Sequence, residues 1–286
     1  MTPTIADRRA TFQALHREGC FVLPNPWDVG SARLLECLGF KALATTSSGH
    51  AWSIGMSDGA VSREATLAHM RVMVEATALP VNADFESGFA DSPDGVAESV
   101  RMAIATGVAG LSIEDSTGDP NDPLRTLDDA VARMRAARAA IDAAGGDTLL
   151  VGRAENFFVG RPDFDDTLRR LKAYAEAGAD CLYAPGIRSR EQIAAVVAAV
   201  APKPVNLLIG AASEFTVADV AALGVRRISV GGALARAAWG GFLRAARGIA
   251  ESGRFDGFAD AASGQQLNAL FGASAEVPPS SPRAPS

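Results

Sequence analysis

Short apolar runs recur along the chain. Each is followed by a polar or glycine-containing loop and then by an Ala/Leu/Arg-rich stretch of helical period. Eight such runs stand out, at 20–23, 41–45, 80–84, 110–114, 148–153, 180–184, 204–209 and 226–230. They are too short for helices, and they lack the alternation of a strand with one wet face. Continuous apolar runs of this length mark strands buried on both faces, as in a parallel sheet. The helix boundaries agree. Ser189-Arg190-Glu191-Gln192 and Thr216-Val217-Ala218-Asp219 have the form of N-terminal capping boxes. Gly178 and Gly224 stand where a helix must stop before the next apolar run. Eight βα units in roughly 250 residues predict an α/β protein of the (β/α)8 TIM-barrel class. An open doubly wound sheet uses the same units and is the alternative. The barrel is assigned residues 1–255, with an apolar helix over 233–250. Residues 256–286 form a C-terminal extension whose tail after Gly272, rich in Pro, Ser and Ala, is expected to be partly disordered.

A barrel sorts its own chemistry, because catalytic groups belong at the C-terminal ends of strands. At those ends stand Asn25, Trp27 and Asp28; the run Thr45-Thr46-Ser47-Ser48; Asn82 and Asp84; Glu114 and Asp115; Arg153 and Glu155; Tyr183; Asn206; and Gly231-Gly232. At the opposite ends stand Cys20, Lys41, Cys181 and Lys203, while Lys172 falls in a helix over 163–177 and Cys37 in another. A Schiff-base lysine and a thiol nucleophile are therefore both excluded from the site. The scattered cysteines make neither a disulfide framework nor a zinc motif. His16 and His69 read as packing or surface residues of helices, and only His50 follows a strand end.

What remains is carboxylates, one arginine, hydroxyls and amides. Asn82 and Asp84 share a direction on one strand, and Asp84 and Glu114 end neighbouring strands. Their oxygens suit a hard divalent cation, Mg²⁺ or alternatively Mn²⁺, which keeps several waters. Asp58, in the loop after the second strand, can cover or orient such a site. Arg153 offers a planar fork to a substrate carboxylate or a developing enolate, with Glu155 placed to hold it. Thr46, Ser47 and Ser48, followed by Gly49, can present N–H groups to a carboxylate. The formal net charge of −6 gives no reason to expect nucleic acid or an anionic membrane as partner. The first residues lack an apolar signal core, and no run approaches the ~20 apolar residues of a membrane span. A cytoplasmic protein acting on a small carboxylic acid is the expectation.

Asn82-Ala83-Asp84-Phe85-Glu86-Ser87-Gly88, Ser112-Ile113-Glu114-Asp115-Ser116, Gly152-Arg153-Ala154-Glu155-Asn156-Phe157 and the segment 45–58 resemble, in order, motifs of the isocitrate lyase/phosphoenolpyruvate mutase superfamily. The resemblance covers residues 20–250. It implies a (β/α)8 barrel, usually a homotetramer with a swapped C-terminal helix, in which Mg²⁺ binds a 2-oxo or 2-hydroxy acid. It implies that Asp84 is the principal metal carboxylate, that Glu114 acts through metal-bound water, and that Asp58 lies near those waters. Arg153 would bind substrate, Thr46, Ser47 and Ser48 would hold its carboxylate, and Asn206 would contact it. The chain also departs from the pattern. Asn82 replaces an aspartate of many relatives. The loop Ser116-Thr117-Gly118-Asp119-Pro120-Asn121-Asp122-Pro123-Leu124 lacks the lyase Lys/Cys/His set and the mutase lysine, and Tyr183 stands where mutases carry histidine. The expectation is thus a carbon–carbon lyase acting through a metal-stabilised enolate, by decarboxylation or cleavage of an oxaloacetate-like acid, with Tyr183 or water as acid. Two alternatives stay open: phosphonate or phosphoenolpyruvate-type chemistry, with Ser229-Val230-Gly231-Gly232 as a phosphate cradle, and a barrel that binds a 2-oxo acid without turnover.

Overall fold

The computed structural model describes residues 2–273. Eight short strands carry the architecture: β1 Phe21–Leu23, β2 Leu43–Ala44, β3 Val81–Asp84, β4 Gly110–Glu114, β5 Leu149–Arg153, β6 Cys181–Tyr183, β7 Val205–Leu208 and β8 Arg227–Ser229. All eight lie in one sheet of order β1-β8-β7-β6-β5-β4-β3-β2, with every paired neighbour parallel. The remaining seam, between β1 and β2, is drawn together by Ala44 N–H donating to Pro24 O at 3.0 Å and by the Asn25 amide donating to Thr45 O at 2.9 Å. The sheet therefore curls into a (β/α)8 barrel and is not an open doubly wound sheet.

The helices are α1 Ile5–Leu15, α2 Val29–Cys37, α3 Ser47–Ser53, α4 Arg63–Ala76, α5 Pro93–Ile104, α6 Leu127–Ala143, α7 Phe164–Glu176, α8 Arg190–Val200, α9 Val217–Ala222, α10 Ala233–Ser252 and α11 Gly264–Ala273. Both expected capping boxes form, at Ser189 for α8 and at Thr216 for α9. Gly178 and Gly224 stop α7 and α9 with φ of 106° and 87°, values that cost glycine nothing. Outward-facing residues such as Ala83, Leu111, Leu182 and Leu207 form the main core with the surrounding helices.

The inward side chains stack in layers, because strand tilt brings alternate strands to one height. The pairing register places Asn25, Asp84, Arg153 and Leu208 at the rim. Beneath them lie Ala44, Ser112, Tyr183 and Ser229, then Leu23, Asn82, Val151 and Asn206. Ala42, Gly110, Cys181 and Arg227 make the floor. Helix α1 closes the barrel from below with fully buried Phe12. Gly110 has to be glycine, since a Cβ there would come 2.8 Å from both the Phe12 ring and Asn82 Oδ1.

The apolar helix expected over 233–250 is α10. Only Ala235 of it is buried, while Phe242, Leu243 and Ile249 lie open. In the extension, a short 3-10 turn at Asp256–Phe258 packs on α10, and α11 lies on α2, with the Phe271 ring reaching Gly30. The expected tail over 274–286 falls outside the described residues. No helix among the described residues is long and apolar enough to cross a membrane.

Candidate active site

The strand C-termini open into a cavity of about 930 Å³. Strand β3 delivers Asp84, β4 delivers Glu114 and β5 delivers Arg153. Arg153 Nη1 lies 3.1 Å from Asp84 Oδ1 and 3.0 Å from Glu114 Oε2, so one guanidinium joins the ends of three neighbouring strands. Its Nε and Nη2 edge forks onto Glu155, with Nη2 3.2 Å from Oε2. Glu155 is fixed in turn by its backbone N–H, which donates to Asp115 at 2.8 Å. Asp115 itself points outward to Arg170 and Tyr174, so it buttresses the site without entering it. The Arg153 guanidinium also lies 5.3 Å from the Tyr183 ring centre.

The hydroxyl run after β2 is the start of α3. Thr46 is its N-cap, accepting from Gly49 N–H, and its Oγ1 lies 3.1 Å from Ser48 Oγ. Ser47 N–H donates to Asp84 Oδ2 at 3.0 Å, and Thr45 Oγ1 accepts from Asp84 N–H. The expected anion loop thus spends one of its donors on Asp84. Gly49 lets α3 pack this closely, since a Cβ there would come 2.6 Å from the Thr46 methyl and 3.3 Å from Ala235. Asp58 reaches the mouth from the loop after α3, hydrogen-bonded to Ser47.

The electrostatics are lopsided. Asp58, Asp84, Glu86, Glu114 and Glu155 surround Arg153, five carboxylates to one guanidinium. Burial pushes Glu114 well above the usual carboxylate range; Arg153 opposes this and the neighbouring carboxylates add to it. Glu155 is raised for the same reasons. Glu86 is pushed up to about 7 by burial and by the charges of Asp84 and Asp58. Partial enclosure and Asp84 raise Asp58. Burial resists the Arg153 charge, but Glu114, Glu155 and Asp84 outweigh it and hold that guanidinium firmly charged. Burial lifts the Tyr183 phenol to about 12, so it is protonated at neutral pH.

Among the described residues no group of three or more His, Cys, Asp and Glu is gathered tightly enough to hold a metal ion unaided. The donor set still fits a hard divalent cation. It is all oxygen and strongly acid-rich, and Mg²⁺ takes one or two carboxylates and fills its shell with water and substrate oxygens. Asn82 fits less well. It lies two layers below the rim, and its Oδ1 faces Arg227 Nη1 at 3.4 Å. Asn206 lies at the same depth with both ends of its amide engaged, accepting from Arg227 Nε at 2.8 Å and donating to Ser229 at 2.9 Å.

The model of the phosphoenolpyruvate phosphomutase family matches residues 12–250. The chain belongs to the isocitrate lyase/phosphoenolpyruvate mutase superfamily. Oxaloacetate decarboxylase of Paraburkholderia xenovorans is 34% identical over 234 residues, 78% of this chain and 74% of that protein. A crystal structure from Burkholderia cenocepacia J2315, assigned provisionally as a lyase/mutase, superposes with a TM-score of 0.91 at 48% identity, covering 97% of this chain and 99% of its own. Oxaloacetate acetylhydrolase bound to its product oxalate superposes with a TM-score of 0.83 at 26% identity, covering 95% and 96%.

Within this superfamily member, the structure brings Asp58, Asp84, Glu114, Arg153, Thr46, Ser47 and Ser48 to one cavity, and Tyr183 lies one layer below. Trp52 also lines it, whereas Trp27 packs behind Gly49, and Phe158 is an exposed aromatic at the mouth. Two residues escaped the sequence reading. Glu86 sits past the end of β3 with φ 47°, where period-two alternation no longer says where a side chain points. Arg227 begins β8 and so reads as belonging to the wrong end of the barrel, yet it lines the same cavity from beneath.

Proposed function

We propose that this chain is a Mg²⁺-dependent carbon–carbon lyase acting on a small 2-oxo or 2-hydroxy dicarboxylic acid, with oxaloacetate-like acids first among them. The observation that carries the proposal is the excess of acid around Arg153, which calls for a second cation. Asp84 and Glu114, with Asp58 and Glu86 over the waters, would hold it. A bound Mg²⁺ would lower the cost of negative charge on the substrate's C1 carboxylate and C2 oxygen.

The chain's own groups supply the rest. Arg153 faces the same oxygens and stabilises charge as it develops there. Thr46, Ser47 and Ser48 orient the C1 carboxylate. In decarboxylation of a four-carbon 2-oxo diacid, the C3–C4 bond breaks and CO₂ leaves. The electron pair moves into the C2–C3 bond while the C2 oxygen takes the charge. A proton then returns to C3, with Tyr183 Oη or a water as its donor. The names of the relatives, oxaloacetate decarboxylase and oxaloacetate acetylhydrolase, support this substrate class. A second reading rests on α10, whose N-cap is Gly232, with no side-chain cap, and which carries Arg236 at the cavity, a setting suited to a phosphonate.

A substrate panel with Mg²⁺ tests both readings. Oxaloacetate yielding pyruvate and CO₂ supports decarboxylation, and oxalate with acetate supports hydrolysis. Conversion of phosphonopyruvate alone would transfer the assignment to the mutase reading, and binding of 2-oxo acids without any conversion would leave only a binding barrel. We also propose that the open apolar side of α10 is covered by further copies of this chain, and light scattering is expected to give a mass of four chains.

A further inference from the structure

Arg227 is an arginine in an unusual place. It rises from the barrel floor, is 2% exposed, and forms no ion pair with any described carboxylate. Its described partners are all uncharged: Asn206 Oδ1 at 2.8 Å, Asn82 Oδ1 at 3.4 Å and His16 Nε2 at 3.4 Å. His16 is held neutral by burial and by Arg227 itself, its pKa pushed down to about 3. A buried guanidinium with no anion is expensive, and because arginine keeps its proton the cost is relieved only by an anion that completes the pair.

The interior above Arg227 is built from smaller side chains than barrel interiors usually carry. The layers of such a barrel are ordinarily filled by Val, Ile and Leu. Here the layer between the rim and the Asn82–Asn206 layer has Ala44, Ser112 and Ser229 at three of its four positions. The cavity at the rim reaches down through it, since Ala44, Ser112, Asn82, Asn206 and Arg227 all line that cavity. Two residues of tilted strand, at ~3.3 Å rise each, put Asn206 and Asn82 roughly 5–6 Å below Asp84 and Arg153, and the Arg227 side chain rises from the layer beneath to meet both amides. That depth matches the reach from the C2 oxygen of a short 2-oxo acid to a carboxylate at its far end.

We propose that Arg227, presented by Asn206 and Asn82, is the subsite for the distal carboxylate of a four- or five-carbon diacid whose 2-oxo acid end lies at the rim. The proposal rests on the functional reading above and adds the residue that selects diacids over monoacids. Arg227 is then a specificity residue at the bottom of the site, and the small layer above it is the passage to it.

The test is calorimetric titration of the full-length protein in Mg²⁺ with 2-oxoglutarate and 2-oxopentanoate, which differ only in a terminal carboxylate against a methyl. Wild type should prefer 2-oxoglutarate by at least about tenfold, as a charge-assisted pair warrants. Arg227→Met should abolish that preference, and Arg227→Lys should retain part of it. An unchanged preference in Arg227→Met, or none in wild type, overturns the proposal. If Arg227→Met does not fold, Ala44→Leu decides. It blocks the passage without touching the guanidinium and should erase the preference, and full retention overturns the proposal. Oxalate, too short to reach the floor, reports on the rim separately. Loss of its Mg²⁺-dependent binding would sink the functional reading, while the diacid preference is still read without metal.

Discussion

Glu86 is the residue on which the acid excess at the rim becomes measurable. Burial, Asp84 and Asp58 raise its pKa to about 7, against an ordinary value near 4.5. Between those values the folded protein holds a proton that the unfolded chain has released. In metal-free protein this contribution to stability is therefore present at low pH and is lost as pH rises through 7. A divalent cation prefers the ionised form, so Mg²⁺ affinity should climb as pH rises from 6 to 8, with proton release on binding. In Glu86→Gln that part of the climb should flatten, as titrations in two buffers of different ionisation heat would detect. An affinity that falls over the same range would contradict the assignment. Asp84, Glu114 and Arg153 were legible in the sequence because each closes an apolar run, and a strand end fixes direction. Glu86 was not legible, because its direction comes from a left-handed turn. Nor was Arg227, whose role depends on the height it reaches inside a tilted barrel and not on its position along β8.

At the scale of elements, the site is held by parts that never touch the cavity. Asp115 follows Glu114 and turns the opposite way. There it receives Tyr174 and Arg170 from α7, with Arg170 Nη1 at 3.1 Å, and Glu155 N–H from the loop after β5. Removing one partner of a buried pair strands the other. Asp115→Ala should therefore cost about 3–5 kcal/mol, measured by urea denaturation. A loss within experimental error would show that the clasp is ornamental. The capping boxes of α8 and α9 and the glycines ending α7 and α9 could be read directly from sequence, because caps depend on residues three or four apart. The short helix α3 could not. Its hydroxyl run reads as a loop, and it becomes a helix because Thr46 caps it and Gly49 allows it to press against α10.

For the whole molecule, the repeat of eight apolar runs predicted the barrel with an open doubly wound sheet as the alternative, and the closure of β1 on β2 decides between them. What the repeat could not supply was the packing inside. The acid-crowded rim, the small-residue layer and the lone guanidinium on the floor emerge only when strand register and tilt are combined. The account's central claim is that rim carboxylates from adjacent strands take a divalent cation beside Arg153. Its most direct test is calorimetric titration of Mg²⁺ into chelator-treated wild type and Asp84→Asn at pH 8. Wild type should bind one ion per chain, and Asp84→Asn should bind at least about 100-fold more weakly, since even partners outside the ligand shell alter metal affinity by 10–100-fold. Equal affinity in the two proteins, or no saturable binding in wild type, would contradict the claim.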